Sequence, residues 1–146
     1  LIEIIYMFNL PQIDQRTASK ELVQIAKIQA NDILTSIRGV DYVMLCSTDG
    51  FELASVHKKD NYNSAKLAAV SSSILAMVGA FLNEIQLNGC QNITFDAENG
   101  KAILTSIPAP HHPMVMVTLS SKDVLLGQLL YSLKQASTAI VKADTP

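Results

Sequence analysis

Residues 64–87 read SAKLAAVSSSILAMVGAFLNEIQL, and only Lys66 and Glu84 in this stretch carry a charge. Plotted at 3.6 residues per turn, the stretch has two unlike faces. One face carries large apolar side chains, which are Leu67, Val70, Ile74, Met77, Val78, Phe81 and Ile85. The opposite face carries small or short uncharged side chains, which are Ala65, Ala69, Ser72, Ser73, Ala76, Gly79, Ala80 and Asn83. The pattern predicts a long helix whose large residues pack on the chain's own sheet.

The small face of this helix predicts a second packing partner. A helix on the surface of a monomeric protein presents residues such as lysine and glutamate to water. Small uncharged residues instead allow another backbone to approach closely. We therefore expect the helix to lie between its own sheet and a partner, and the chain to act through protein–protein interaction.

The rest of the sequence predicts seven further elements around the long helix. They are a helix at 17–37, strands at 40–48, 51–58, 90–98, 101–108 and 114–120, and a last helix that ends near Lys142. Asp49-Gly50 and Asn99-Gly100 are typical hairpin turns, so we expect an antiparallel sheet. Strands 40–48 and 114–120 are almost continuously apolar, which is typical of central strands covered on both faces.

The order α-β-β-α-β-β-β-α predicts an α/β protein of the α+β sandwich type. In this architecture the long helix covers one face of a five-stranded antiparallel sheet, and the two terminal helices cover the other. Asn61, Asn63 and Ser64 are the candidate caps of the long helix. Ser120, followed three residues later by Asp123, resembles a capping box and predicts the start of the last helix.

The chain is expected to form one domain at residues 17–143, with an N-terminal extension at 1–16 and a tail at 144–146. The first residue is Leu, which leaves two explanations open for residues 1–6: a leader foreign to the native chain, or an unusual start. Met7 is a candidate native initiator. The segment lacks the basic region of a signal peptide.

Composition restricts the class of function. Apolar residues make up 49% of the 146 residues and charged residues 16%, which excludes a disordered chain. The formal net charge of −2 gives no electrostatic support to nucleic-acid binding. The 17 uncharged residues between Lys66 and Glu84 are borderline in length for a membrane span and include four Ser or Asn, so we expect no membrane insertion.

Cysteine usage favours a cytoplasmic protein. Cys46 and Cys90 lie 44 residues apart, both in predicted strands, and form no C-x-x-C motif. We therefore expect buried free thiols, which fit a reducing compartment.

The sequence offers no catalytic or cofactor site. His111 and His112 stand between Pro110 and Pro113, where an extended backbone points adjacent side chains apart, so we expect a surface loop and no metal site. Residues 71–73 are three serines without the G-x-S-x-G elbow of a nucleophile. No glycine-rich phosphate loop is present, so the chain is not expected to bind GTP by that mechanism. The pattern predicts a protein that is not an enzyme and has no cofactor.

Three segments together resemble the roadblock family of dynein light chains and prokaryotic small-GTPase regulators. They are GVDYVMLCSTDGFELAS (39–55), NITFDAENGKAILTSI (92–107) and MVMVTLSSKDVLLGQLLYSLKQA (114–136), on either side of the Ala- and Ser-rich helix. The N-terminal helix with its lead is longer than in the compact light chains and is closer to the bacterial and archaeal members.

The resemblance implies a homodimer built through the long helix and the strand that follows it, which adds Ile93 and Phe95 to the small face as interface residues. It also implies a non-enzymatic regulator that docks a small Ras-like GTPase. For this partner we expect a surface at the helix ends, formed by Asn61, Tyr62, Lys66 and Glu84. A small-ligand sensing module and an assembly subunit without a GTPase remain open as alternatives.

Overall fold

The computed structural model of the protein describes residues 18–146, so the predicted extension at 1–16, with Met7, lies outside the described residues. The described part contains three helices and five strands. They are α1 (Lys20–Ser36), β1 (Val40–Ser47), β2 (Glu52–His57), α2 (Ser64–Glu84), β3 (Asn92–Ala97), β4 (Gly100–Ile107), β5 (Met114–Ser120) and α3 (Leu126–Ala143). The predicted order of elements is confirmed.

All five strands form one antiparallel sheet in the order β2-β1-β5-β4-β3. Strands β1 and β5 pair along their whole length, from Val40 with Ser120 to Ser47 with Met114. Both lie inside the sheet, as their continuous apolar sequences predicted. Strands β2 and β3 form the two edges.

The sheet separates two apolar layers. Helices α1 and α3 cover one face, where Val43, Leu45 and Met116 of the strands meet residues such as Leu129 of α3. Helix α2 covers the other face, where Tyr42, Met44, Cys46, Val115 and Val117 surround Ala68. The predicted sandwich, with one long helix on one side and two helices on the other, is confirmed.

The two hairpins differ in how they turn. Gly50, with a φ of 94°, is the last residue of the turn after β1, and its N–H donates to the Ser47 carbonyl at 3.0 Å. The second hairpin was predicted to turn at Asn99-Gly100, and this register is wrong by one residue. Ala97 pairs with Gly100, so Glu98 and Asn99 are the turn residues. Gly100 is needed for close packing, because a Cβ there would lie 2.8 Å from the Ser120 carbonyl oxygen.

Side-chain caps fix the starts of the first two helices only. The Asn63 side chain accepts the Lys66 N–H at 3.1 Å at the start of α2, and Ser19 does the same for α1. The predicted capping box of Ser120 and Asp123 is wrong. Ser120 is the last residue of β5, paired with both neighbouring strands, and α3 begins only at Leu126 with no side-chain cap.

Candidate interaction surface

Helix α2 rests on the sheet through a narrow line of small residues. It packs mainly on β1, β2 and β5, and Ala68 and Ser71 are its only buried residues. Leu67, Ile74 and Leu75 pack at the margin of the same cluster. Because Ala68 and Ser71 are small, the helix backbone approaches the strands closely.

The predicted orientation of α2 on the sheet is therefore wrong in part. Ala68 and Ser71 lie about a quarter turn, at 100° per residue, from the centre of the predicted large apolar stripe. As a result Val70, Met77, Phe81 and Ile85 point away from the sheet, with 47%, 67%, 62% and 49% of their surface exposed. Large apolar residues of this helix thus face solvent in the isolated chain.

The residues predicted to form the small face lie on the free side of α2. Ala65, Ala69, Ser73, Ala76, Gly79, Ala80 and Asn83 are exposed, and Ser72 is half-buried. The hydroxyls of Ser72 and Ser73 donate to the Ala69 carbonyl at 3.0 and 3.1 Å, which satisfies them within the helix. The free side is therefore an uncharged surface of small residues flanked by Met77 and Phe81.

This surface continues onto the edge strand β3. Ile93 is half-buried against the α2 cluster, and Phe95 is 40% exposed on the same face of the sheet. Exposed apolar surface of this extent, with charges only at Lys66 and Glu84, is typical of an interaction site. We call the exposed residues of α2 together with Ile93 and Phe95 the α2–β3 surface.

Helix α2 is also the one helix within residues 18–146 that is long and apolar enough to cross a membrane, judged by length and composition. In the fold one side of it packs on the sheet through Ala68 and Ser71. The absence of membrane insertion stays a prediction.

Tyr62 lies at the start of α2 and meets Phe95 in one groove. The Tyr62 ring packs edge-on against the buried Tyr42 ring, with centroids 5.1 Å apart. Its exposed part lines a groove of about 370 Å³ together with Phe95, Lys59 and Lys101. The structure thus joins Tyr62, predicted to bind a partner, with Phe95, predicted to bind a second copy.

The charges around this groove are already paired. Lys101 Nζ lies 2.7 Å from Asp96 Oδ1, and Lys59 Nζ lies 4.0 Å from Asp41 Oδ2. The hydrogen bond from Lys101 holds the pKa of Asp96 below its ordinary value. The charged side chains of the groove are therefore neutralised within the chain. The exposed rings of Tyr62 and Phe95 remain, and they suit an apolar or aromatic side chain of a partner.

The other predicted partner residues are not all brought together. Asn61, Tyr62 and Lys66 cluster at the start of α2 and are exposed. Glu84 is exposed at the far end of the same helix, about 27 Å away at 1.5 Å per residue. Within one protomer the predicted partner residues therefore lie at two separate places, one at each end of α2. Their role in binding stays a prediction.

A polar cluster that the sequence did not predict lies at the opposite end of the molecule. Asp144 Oδ2 accepts the backbone N–H groups of His111 and His112 at 2.7 and 2.9 Å, and Asp144 Oδ1 lies 2.8 Å from His112 Nδ1. Burial alone raises the pKa of Asp144, but the hydrogen bonds from His112 and His111 outweigh it, so the pKa lies below its ordinary value. The two histidines also line a cavity of about 390 Å³ with Asp49.

The polar cluster ties the loop after β4 to the end of α3. The only sequence signal for it is an acidic residue 32 positions from His112, which no local pattern connects. Within residues 18–146, no group of three or more His, Cys, Asp or Glu side chains is placed to hold a metal ion.

The two cysteines occupy different environments. Both are free thiols; Cys46 is buried, and burial raises its pKa to about 12. Cys90 is half-buried and lies in the loop before β3, so its predicted place in a strand is wrong. The strand begins at Asn92, whose carbonyl lies 3.8 Å from Cys90 Sγ.

Comparison with known proteins gives one family and several related folds. The Roadblock/LC7 domain model matches residues 30–109, more than half of the chain. No curated protein matches the chain by sequence. Among solved structures, MglB of Myxococcus xanthus shares 18% identity with a TM-score of 0.73, covering 87% of this chain and 92% of that one.

Two further structures are similar. The gliding protein MglB of Thermus thermophilus shares 18% identity with a TM-score of 0.76 over 88% of this chain and 94% of its own. A Roadblock/LC7 domain of Streptomyces avermitilis shares 10% identity with a TM-score of 0.71 over 80% and 94%. At these identities the structures support the fold alone.

Proposed function

The chain belongs to the Roadblock/LC7 domain family, and from that premise we propose that it is a non-enzymatic, cytoplasmic homodimer that docks and regulates a small Ras-like GTPase. The family resemblance supports the class of partner. The α2–β3 surface supports self-association, because it combines exposed Met77 and Phe81 with a small uncharged face.

The exposure of α2 is the observation that carries the homodimer. An unpaired surface helix needs polar residues toward water, whereas α2 is free of charge between Lys66 and Glu84. Burying a side chain such as Phe81 or Met77 contributes about 1.5–3 kcal/mol. A second copy supplies such burial twice over, because a two-fold axis repeats every contact.

Oligomeric state tests the first half of the proposal. Light scattering of the purified chain over a concentration series should give twice the subunit mass of 15.8 kDa. A single species of subunit mass at every concentration would overturn the homodimer.

The pairing of α2 with its symmetry mate is tested by cross-linking. We expect antiparallel helices, which bring the start of one α2 next to the end of the other. Ala65→Cys and Asn83→Cys, each with Cys90→Ser, should cross-link when the two variants are mixed and stay uncross-linked alone. Cross-linking of each variant with itself would indicate a parallel arrangement.

The regulatory half of the proposal is tested with the nucleotide and with the partner. Calorimetry of the isolated chain with GTP should give no saturable binding, since no phosphate-binding loop is present. A Ras-like GTPase from the same genome, loaded with a GTP analogue, should bind the dimer. Failure of every such GTPase to bind, with the dimer intact, would favour an assembly subunit.

The ligand-sensing alternative has less support. It needs an apolar pocket between sheet and helix with a few inward polar groups. Five surface cavities of the described residues, from about 180 to 520 Å³, take none of their lining residues from Ser64–Glu84.

A further inference from the structure

The chain contains two Asn–Gly dipeptides, Asn88-Gly89 and Asn99-Gly100, in opposite structural settings. An asparagine followed by glycine is chemically labile, because the glycine nitrogen can attack the asparagine side chain with no Cβ in the way. The attack requires a free glycine N–H and a backbone that can rearrange. The structure meets both requirements at Asn88-Gly89 and hinders both at Asn99-Gly100.

Asn88-Gly89 lies in the connection from α2 to β3, outside regular structure. Both residues are exposed, and Gly89 has a φ of 70°. No heavy atom lies within 4 Å of the position of a Cβ on Gly89. Within residues 18–146, neither residue forms a hydrogen bond. The Gly89 nitrogen is therefore free to approach the Asn88 side chain.

Asn99-Gly100 lies in the β3–β4 hairpin and is constrained. Gly100 is the first residue of β4 and pairs with Ala97 across the turn. The Gly100 backbone also packs closely against Ser120, because a Cβ added to Gly100 would lie 2.8 Å from the Ser120 carbonyl oxygen. Attack by the Gly100 nitrogen requires the pairing with Ala97 and the packing against Ser120 to open first.

We propose that Asn88 is a site of spontaneous deamidation. The Gly89 backbone nitrogen forms a bond to Asn88 Cγ, the Cγ–Nδ2 bond breaks, and ammonia leaves with the proton from the Gly89 N–H. The product is a cyclic succinimide. Water then opens either carbonyl of the ring and leaves aspartate or isoaspartate at position 88.

The modification regulates the surface proposed above, and this consequence rests on the proposed function. The new carboxylate lies between α2 and β3, directly after Leu87, which is 55% exposed, and close in sequence to Ile85, which is 49% exposed. A charge in this place disfavours burial of the neighbouring apolar side chains. Aged protein is expected to self-associate more weakly than fresh protein.

Peptide mapping of aged protein by mass spectrometry tests the proposal. In mildly alkaline buffer Asn88 should convert to aspartate and isoaspartate, while Asn99 converts about tenfold more slowly, the factor expected for opening one backbone hydrogen bond. Asn88→Gln keeps an amide, but the same attack on the longer side chain would have to close a six-membered ring, which forms much more slowly. The variant should therefore show no conversion at position 88. Equal conversion at both sites, or none at Asn88, would overturn the proposal.

Measuring the dimer dissociation constant of variants separates the deamidation chemistry from its effect on self-association. Asn88→Asp should raise the dimer dissociation constant. Asn31→Asp makes the same change at an exposed position of α1, on the other side of the sheet, and should leave the constant unchanged. Unchanged association of Asn88→Asp would overturn the regulatory consequence. A protein that is monomeric throughout would refute the proposed homodimer, while the peptide map would still decide the chemistry.

Discussion

Ala76→Glu tests whether the free side of α2 is buried by a second copy. Ala76 lies in the middle of the small face and is exposed in the protomer. A glutamate there is solvated in the isolated chain and matches alanine closely in helix propensity. In the dimer the same carboxylate is buried without a partner. We therefore expect the substitution to act on association and to leave the fold intact.

The expected change in the dimer dissociation constant follows from the solvation that the new carboxylate loses in the interface. Leaving an uncompensated charge buried costs about 3–5 kcal/mol. At about 1.4 kcal/mol per factor of ten, this corresponds to roughly two to three and a half decades in the dissociation constant. Two-fold symmetry places one such carboxylate in each half of the interface, so this range is a lower bound.

Sedimentation equilibrium over a wide concentration range measures the shift. Gln24→Glu is the matched control, because it adds the same carboxylate at an exposed position of α1, on the other side of the sheet. Circular dichroism confirms that both variants fold. If Ala76→Glu dimerises as tightly as Gln24→Glu, the interface lies elsewhere and the reasoning from the exposed helix is refuted.

Three further predictions concern other parts of the molecule. Tyr62→Ala should keep the dimer but weaken GTPase binding at least about tenfold, as expected for an aromatic hot spot; lost stability with normal binding would mean that Tyr62 only packs on Tyr42. Asp144→Asn should lower the thermal midpoint at neutral pH. Because the pKa of Asp144 is lowered in the fold, its contribution is present above the ordinary carboxyl pKa and lost as pH falls through the folded value, so the variant and the wild type should converge in acid. Cys46, with a pKa of about 12, should resist alkylation in the folded chain while Cys90 reacts first, which mass spectrometry resolves.

The fold was largely accessible from sequence because its signals are local. Continuous apolar runs identified β1 and β5, and turn residues identified both hairpins. The predictions from sequence were wrong where tertiary contacts override a local pattern. Ser120 has the spacing of a capping residue, but its backbone is held by two neighbouring strands. Gly100 has the sequence of a turn residue, but close packing against Ser120 places it in β4.

The interaction surface was accessible only in part. The lack of charge on α2 drew attention to its small face, which the structure leaves exposed, and its burial by a partner stays a prediction. The prediction that Tyr62 lies at the start of α2 was correct. The rotation of α2 on the sheet was not predictable from periodicity, because a helix with apolar residues on most of its circumference has no unique buried side. The Asp144 cluster was missed for another reason. It joins residues 32 positions apart, and a single aspartate carries no local signal.

The narrow attachment of α2 has a consequence for the life of a newly made subunit. Only Ala68 and Ser71 of this helix are fully buried, so most of its apolar side chains gain little burial from the chain's own sheet. In the proposed homodimer a second subunit would bury these side chains, which would couple the stability of the helix to protein concentration. Below the concentration at which such a dimer forms, single subunits would expose a long apolar segment to chaperones and proteases. Proteolytic removal of unpaired copies would then keep the cellular pool in its assembled form.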